Sequence, residues 1–103
     1  MKKTILIVDD VADNIRVLKS TLEAEGHIVR AATSGKKALE LARVAPHPNI
    51  ILLDVMMPGM DGIEVCWELK ANPKTLPIPV IFVTTKGDVD DETIGFDVGA
   101  VDY

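Results

Sequence analysis

Five oxygen-bearing side chains stand where apolar runs stop. In "ILIVDD" Asp9 and Asp10 follow Ile5 to Val8, in "NIILLDVMMPGMDG" Asp54 follows Ile50 to Leu53, and in "VIFVTT" Thr84 and Thr85 follow Val80 to Val83. A carboxylate at the end of a core strand is unfavourable unless something there uses it. Gathered at one rim, three carboxylates would repel one another and suppress each other's ionisation unless a cation or hydrogen-bond donors offset the charge. Oxygen donors without His or Cys nearby suit a hard ion, and Mg²⁺ takes one or two carboxylates, several waters and a phosphoryl oxygen. Each residue also has a plainer reading. Asp9 and Asp10 serve equally well as a turn into a helix, and Thr84 taken alone is an ordinary strand-end threonine. Asp54 is harder to explain that way, because the loop after it already holds Pro58 and Gly59 for turning.

The segments that would position these groups alternate in type. Residues 5–8, 50–53 and 80–83 are continuously apolar and rich in β-branched residues, the pattern of parallel strands covered on both faces. "HIVRA" (27–31) is a weaker strand suited to a sheet edge. Helical patterns lie between them. Asp13 to Glu25 carries Ile15, Leu18 and Leu22 on one stripe, with Gly26 at the stop. Ser34 caps a second helix with Ala38, Leu39, Leu41 and Ala42, which ends before Pro46 and Pro48. Ile63 to Ala71 turns Val65, Cys66 and Leu69 inward and leaves Trp67 off the stripe. Asp88 to Val98 has acids in its first turn, favourable to the helix dipole, and "VDY" opens a fifth strand.

This alternation predicts right-handed βαβ units and an α/β, doubly wound, five-stranded parallel sheet in the order 2-1-3-4-5. Ligands bind such sheets beyond the carboxyl ends of the strands, where the strand order reverses. Between strands 1 and 3 that place would hold Asp9, Asp10 and Asp54.

Composition narrows the function classes. The 103 residues predict one domain, and 48% hydrophobic residues with a mean hydropathy of +0.22 describe an aliphatic core. The formal charge of −5, with no basic cluster beyond the pairs Lys2-Lys3 and Lys36-Lys37, argues against direct nucleic-acid or anionic-membrane binding. No apolar stretch approaches the ~20 residues that span a bilayer, and the four-residue apolar run near the start is too short for a secretory core. A cytoplasmic location is expected. The lone Cys66 has no metal-ligand spacing and is expected to pack on its helix.

The "VDD" of strand 1, the "LLDVMMPGMDG" of strand 3 and its loop, "VIFVTT" and the closing "GAVDY" together resemble the receiver domain of bacterial two-component response regulators. The resemblance runs from Lys3 to Tyr103 in the family's order and spacing. It implies a flavodoxin-like receiver fold and a phosphorylation-activated signalling switch, not a turnover enzyme. Asp54 would accept a phosphoryl group from a phosphohistidine on a sensor histidine kinase or phosphotransfer protein. Mg²⁺ would be held by Asp9, Asp10, Asp54 and the backbone carbonyl of Met56. Thr84 would give its hydroxyl to a phosphoryl oxygen and Tyr103 would be the aromatic switch, altering a surface near helix 4 and strand 5 where an output domain or a second copy docks. Pro58 and Gly62 match the family's loop and third-helix start. Met56 and Lys86 flank the implied path of the hydrolytic water. Neither His27 nor His47 is placed as a phosphodonor.

The family also carries a lysine at the end of strand 5, expected three positions past Tyr103, and a fifth helix. On this reading residues 1–103 are a receiver domain truncated before the end of strand 5 and helix 5. Three rivals remain. A receiver-like interaction module that is never phosphorylated is left open by the missing lysine. A flavodoxin-like cofactor binder would want a hydroxyl- and glycine-rich loop where "DDVADN" stands, and an aspartate phosphatase would want an acid at Met56.

Overall fold

A computed structural model of the chain describes residues 2–83. Four parallel strands, β1 (Thr4–Val8), β2 (Ile28–Ala32), β3 (Ile50–Asp54) and β4 (Val80–Val83), form one sheet in the order β2-β1-β3-β4. Helices α1 (Ala12–Ala24), α2 (Gly35–Arg43) and α3 (Gly62–Ala71) make the crossovers. The expected order therefore holds for strands 1 to 4 of the doubly wound sheet. The expected helix over 88–98 and the fifth strand at "VDY" lie outside the described residues.

The side-chain period of two divides the strands between two cores. Leu6, Val8, Ile51, Leu53, Val80 and Phe82 point to one face, where Ala38, Leu39 and Ala42 of α2 and Val65, Cys66 and Leu69 of α3 cover them. Ile5 and Ile7 point to the other face with Ile15 of α1, flanked by Leu18, Leu22, Val29, Ile50 and Leu52. Each fully buried aliphatic side chain stabilises the fold by about 1.5–3 kcal/mol relative to exposure. Of the expected inward stripes, Ile15, Ala38, Leu39, Ala42, Val65, Cys66 and Leu69 are buried and Leu18, Leu22 and Leu41 are partly buried against the cores, while Trp67 is 58% exposed.

Local chemistry explains the boundaries. Helix α1 closes in a Schellman arrangement: Gly26 has φ +91°, its N–H donates to Glu23, and the His27 N–H reaches back to Leu22. His27 belongs to that closure, so β2 begins at Ile28, one residue later than its sequence suggests. Ser34 caps α2, its hydroxyl accepting from the Lys37 N–H at 3.2 Å. Beyond α3, the buried Thr75 hydroxyl donates to the Leu69 carbonyl at 2.5 Å, and the Lys70 ammonium donates to Leu76 and Ile78 carbonyls at 3.0 and 2.8 Å. These bonds use carbonyls at the C-terminal end of α3 and in its connection to β4.

Leu53, the residue before Asp54 in β3, has none of its surface exposed. We predict that Leu53→Ala destabilises the fold by about 2–5 kcal/mol through lost burial and the cavity left behind. A urea unfolding curve checks this, and a loss well below that range would mean the two-faced covering of β3 is looser than its packing indicates.

Candidate functional site

The sheet register brings the acids together. Val8 of β1 stands opposite Leu53 of β3, so Asp9 and Asp54, the next residues on two parallel strands, emerge side by side at the carboxyl edge. Asp9 remains tied to the sheet by its N–H, which donates to the Ala32 carbonyl at 3.1 Å. Asp10 lies in the turn that follows. Carboxylate oxygens of Asp9, Asp10 and Asp54 all lie within 4.8 Å of one another, Asp9 and Asp54 being 6% and 8% exposed and Asp10 open to solvent.

Asp9 and Asp54 are oriented by the same device. Oδ1 of Asp9 accepts from the Val11 N–H at 2.8 Å, and Oδ1 of Asp54 accepts from the Met56 N–H at 3.2 Å. Each is an Asx-type turn, a carboxylate bonded to the backbone two residues on. The turn-forming reading of Asp9 and its placement in the acidic cluster are both correct. Asp9 Oδ2 accepts a further bond from the Asn14 Nδ2 at 3.1 Å.

The loop after Asp54 returns tightly. Met57 is buried, Met56 is 62% exposed, and Gly59 takes φ +75°, a conformation that favours glycine. The Gly62 N–H donates to the Val55 carbonyl at 3.0 Å, and a Cβ at Gly62 would collide with the Asp54 carbonyl oxygen and stand 2.8 Å from the Val55 Cα. Gly62 therefore lets the first turn of α3 lie directly against the strand end that carries Asp54. Asp61 caps that helix, its side chain accepting from the Glu64 N–H at 3.0 Å. Pro58 lies exposed in the loop.

The Asp54 pKa is raised from 3.8 to about 6, with burial the largest cause. The Met56 N–H opposes the shift, while the charges of Asp9 and Asp10 and a hydrogen bond shared with Asp10 add to it. At such separations two ionised carboxylates repel by on the order of 3 kcal/mol at an effective dielectric near 20. Among the described residues no Lys or Arg forms an ion pair with any of the three, the one ion pair being the exposed Arg16–Asp13 contact. The donor set is all oxygen, negatively charged and clustered, which fits a hard divalent cation that keeps some of its waters.

Thr84, Lys86 and Tyr103 lie outside the described residues; the register places Val83, the residue before Thr84, opposite Asp54. Neither histidine joins the acidic cluster. His27 Nδ1 accepts from the Lys3 N–H at 3.2 Å, and His47 Nδ1 is 2.9 Å from the Ala42 carbonyl. Asn14 and Asp61 are site-supporting residues that the motifs above did not single out. Asp61 had a signal, the helix-starting D-x-x-E of "DGIE". Asn14 had none beyond being polar in the first turn of a helix.

A family model described as the response regulator receiver domain matches residues 5–103. A Vibrio cholerae protein described as a probable cyclic di-GMP phosphodiesterase is 50% identical over 101 residues, 97% of this chain and 22% of that protein. The chain thus spans about a fifth of the length of the first curated relatives it matches. Among solved structures, the phosphorylated cyanobacterial phytochrome response regulator RcpA superposes with a TM-score of 0.90 at 31% identity, covering 100% of this chain and 79% of RcpA. The Mn²⁺-bound form of the response regulator Rcp1 superposes with a TM-score of 0.87 at 31% identity, covering 98% and 78%.

Because the folded state holds the Asp54 proton more tightly than the unfolded state does, the Asp54 contribution to stability is present below pH 4 and lost as pH rises through about 6. In EDTA, Asp54→Asn should therefore be more stable than the native chain by about 1–3 kcal/mol at pH 7.5, with the gap closing near pH 4; urea midpoints across that range would show it. Gly62→Ala should destabilise the chain by about 1–3 kcal/mol or more through overpacking, and an unchanged melting temperature would mean that α3 shifts freely away from Asp54.

Proposed function

This chain belongs to the response regulator receiver domain family of two-component systems, and we propose that its Asp54 is the phosphoacceptor of a Mg²⁺-dependent switch. The observation that carries this reading is the gathering of Asp9, Asp10 and Asp54 at the carboxyl edge of β1 and β3 with no cationic partner among the described residues. One structural neighbour, RcpA, is phosphorylated, and another, Rcp1, is bound to Mn²⁺; both facts support the reading by analogy.

Asp9, Asp10, Asp54 and the Met56 carbonyl would hold the ion. When bound, a divalent cation draws charge from the phosphoryl oxygens and relieves the repulsion among the carboxylates. The residues of the chain supply the rest. An oxygen of Asp54 attacks the phosphorus of a phosphohistidine on a partner kinase or phosphotransfer protein. The P–N bond breaks with its electron pair returning to the imidazole, and an acyl phosphate forms on Asp54. The Met56 N–H on Asp54 Oδ1 orients the carboxylate for that attack. Phosphoryl transfer needs mainly such positioning and electrostatics, so no further acid or base is required. Attack by water on the same phosphorus returns Asp54 and releases phosphate.

Thr84 would donate its hydroxyl to a phosphoryl oxygen and Tyr103 would follow it inward, biasing the surface near helix 4 and strand 5 toward an output domain or a second copy. Residues 1–103 act here as one receiver domain, cytoplasmic, with the catalytic activity named in relatives residing in their other segments. Among the described residues no helix is long and apolar enough to cross a membrane.

Intact-protein mass spectrometry after incubation with acetyl phosphate tests the reading. We expect a single phosphoryl increment that requires both Mg²⁺ and Asp54 and is absent from Asp54→Asn. A chain that folds and binds the cation but gains no increment, even when it extends through the lysine expected beyond Tyr103, would favour a receiver-like interaction module that is not phosphorylated.

A further inference from the structure

Asp9 is held from two directions by the start of α1. The Val11 N–H donates to Oδ1 and the Asn14 amide donates to Oδ2. The first donor is backbone, which any residue other than proline at position 11 would supply. The second is specific to Asn14, the only side chain from outside the acidic cluster that donates to one of its carboxylates among the described residues.

Two donors on different oxygens fix the plane of a carboxylate, whereas one leaves it free to turn about its last torsion, which is intrinsically broad. Each carboxylate oxygen has about two acceptor positions, so both oxygens of Asp9 keep one for a cation or its water. Asn14 is itself well anchored. It lies in the first turn of α1, next to Ile15, whose burial against Ile5 and Ile7 secures that turn to the sheet. Its side chain is half-buried and borders an open cleft with Asp9, Val17, Leu18 and Val83, so the position tolerates a change of side chain.

We propose that Asn14 is a positioning residue that locks the Asp9 carboxylate in its ligating orientation and thereby sets the affinity of the acidic cluster for divalent cations. This rests on the reading of Asp9 as a cation ligand. Outer-sphere partners of this kind typically change metal affinity by about 10–100-fold when removed. A purely structural role, a clamp on the start of α1, would instead change the stability of the metal-free fold.

The test is Mn²⁺ binding by isothermal titration calorimetry and electron paramagnetic resonance, with thermal unfolding in EDTA, on the native chain, Asn14→Leu and Asn14→Gln. The expected result is an affinity weakened by about 10–100-fold in Asn14→Leu, an EDTA melting temperature that does not fall, and recovery of most of the affinity in Asn14→Gln, which restores an amide donor. Should Asn14→Leu fail to fold, Asn14→Ala enters the same comparison. Native affinity in the leucine or alanine variant, or a loss that merely tracks a drop in EDTA stability, would overturn the inference while leaving the cation reading in place. Absence of saturable Mn²⁺ binding by the native chain would instead remove the cation reading, and the role of Asn14 with it.

Discussion

The pairing of β1 with β3 is the constraint on which the rest of the site depends. Val8 opposite Leu53 brings Asp9 and Asp54 out of the sheet together, and both strands are covered on two faces, by α2 and α3 on one side and α1 on the other. A slip of one residue would turn every inward side chain of a strand to the opposite face. The face under α2 and α3 is fully enclosed whereas that under α1 is in part only half-buried, so such a slip would move fully buried side chains to the more open side and is disfavoured. The hydrophobic packing of Leu6, Val8, Ile51 and Leu53 thus helps to specify the separation of the two carboxylates that follow these strands.

That separation is electrostatically unfavourable by itself. Asp54 is pushed up toward pH 6 chiefly by burial and secondarily by its acidic neighbours, and the fold tolerates this because aliphatic burial elsewhere is much larger. The arrangement stores a demand for positive charge at one edge of the sheet. A divalent cation would meet that demand, and a phosphoryl group arriving with it would find the neighbouring carboxylates already neutralised. On the proposed reading stability and function would be opposed here in the usual sense: the acids that would take part in phosphoryl transfer are those whose removal would relax the edge.

The supporting residues keep this edge in shape by backbone means. Asp9 and Asp54 each accept from an amide two residues on, Gly62 admits the start of α3 against the Asp54 carbonyl, and Gly59 turns the loop between them. The start of α1 is fastened to the cluster through Val11 and Asn14, and α1 packs on the face of β1 opposite to α2 and α3.

The continuous aliphatic runs and the stripes of Ile15, Leu18 and Leu22, of Ala38, Leu39 and Ala42, and of Val65, Cys66 and Leu69 were legible as strands and helices, because burial on two faces or one leaves a period in the chain. Ser34 and Gly26 were legible as helix boundaries, since capping is local chemistry. The start of β2 was not, because His27 bonds back to Leu22 across a turn. Within residues 2–83 the sequence by itself determined which runs form the core, the kind and order of the elements, and which acids stand at the strand ends. Only the tertiary structure decided that Asp9, Asp10 and Asp54 lie within reach of one ion, that Asn14 holds one of them, and that Gly62 must have no side chain, because these are contacts between segments whose distance along the chain says nothing about their distance in space.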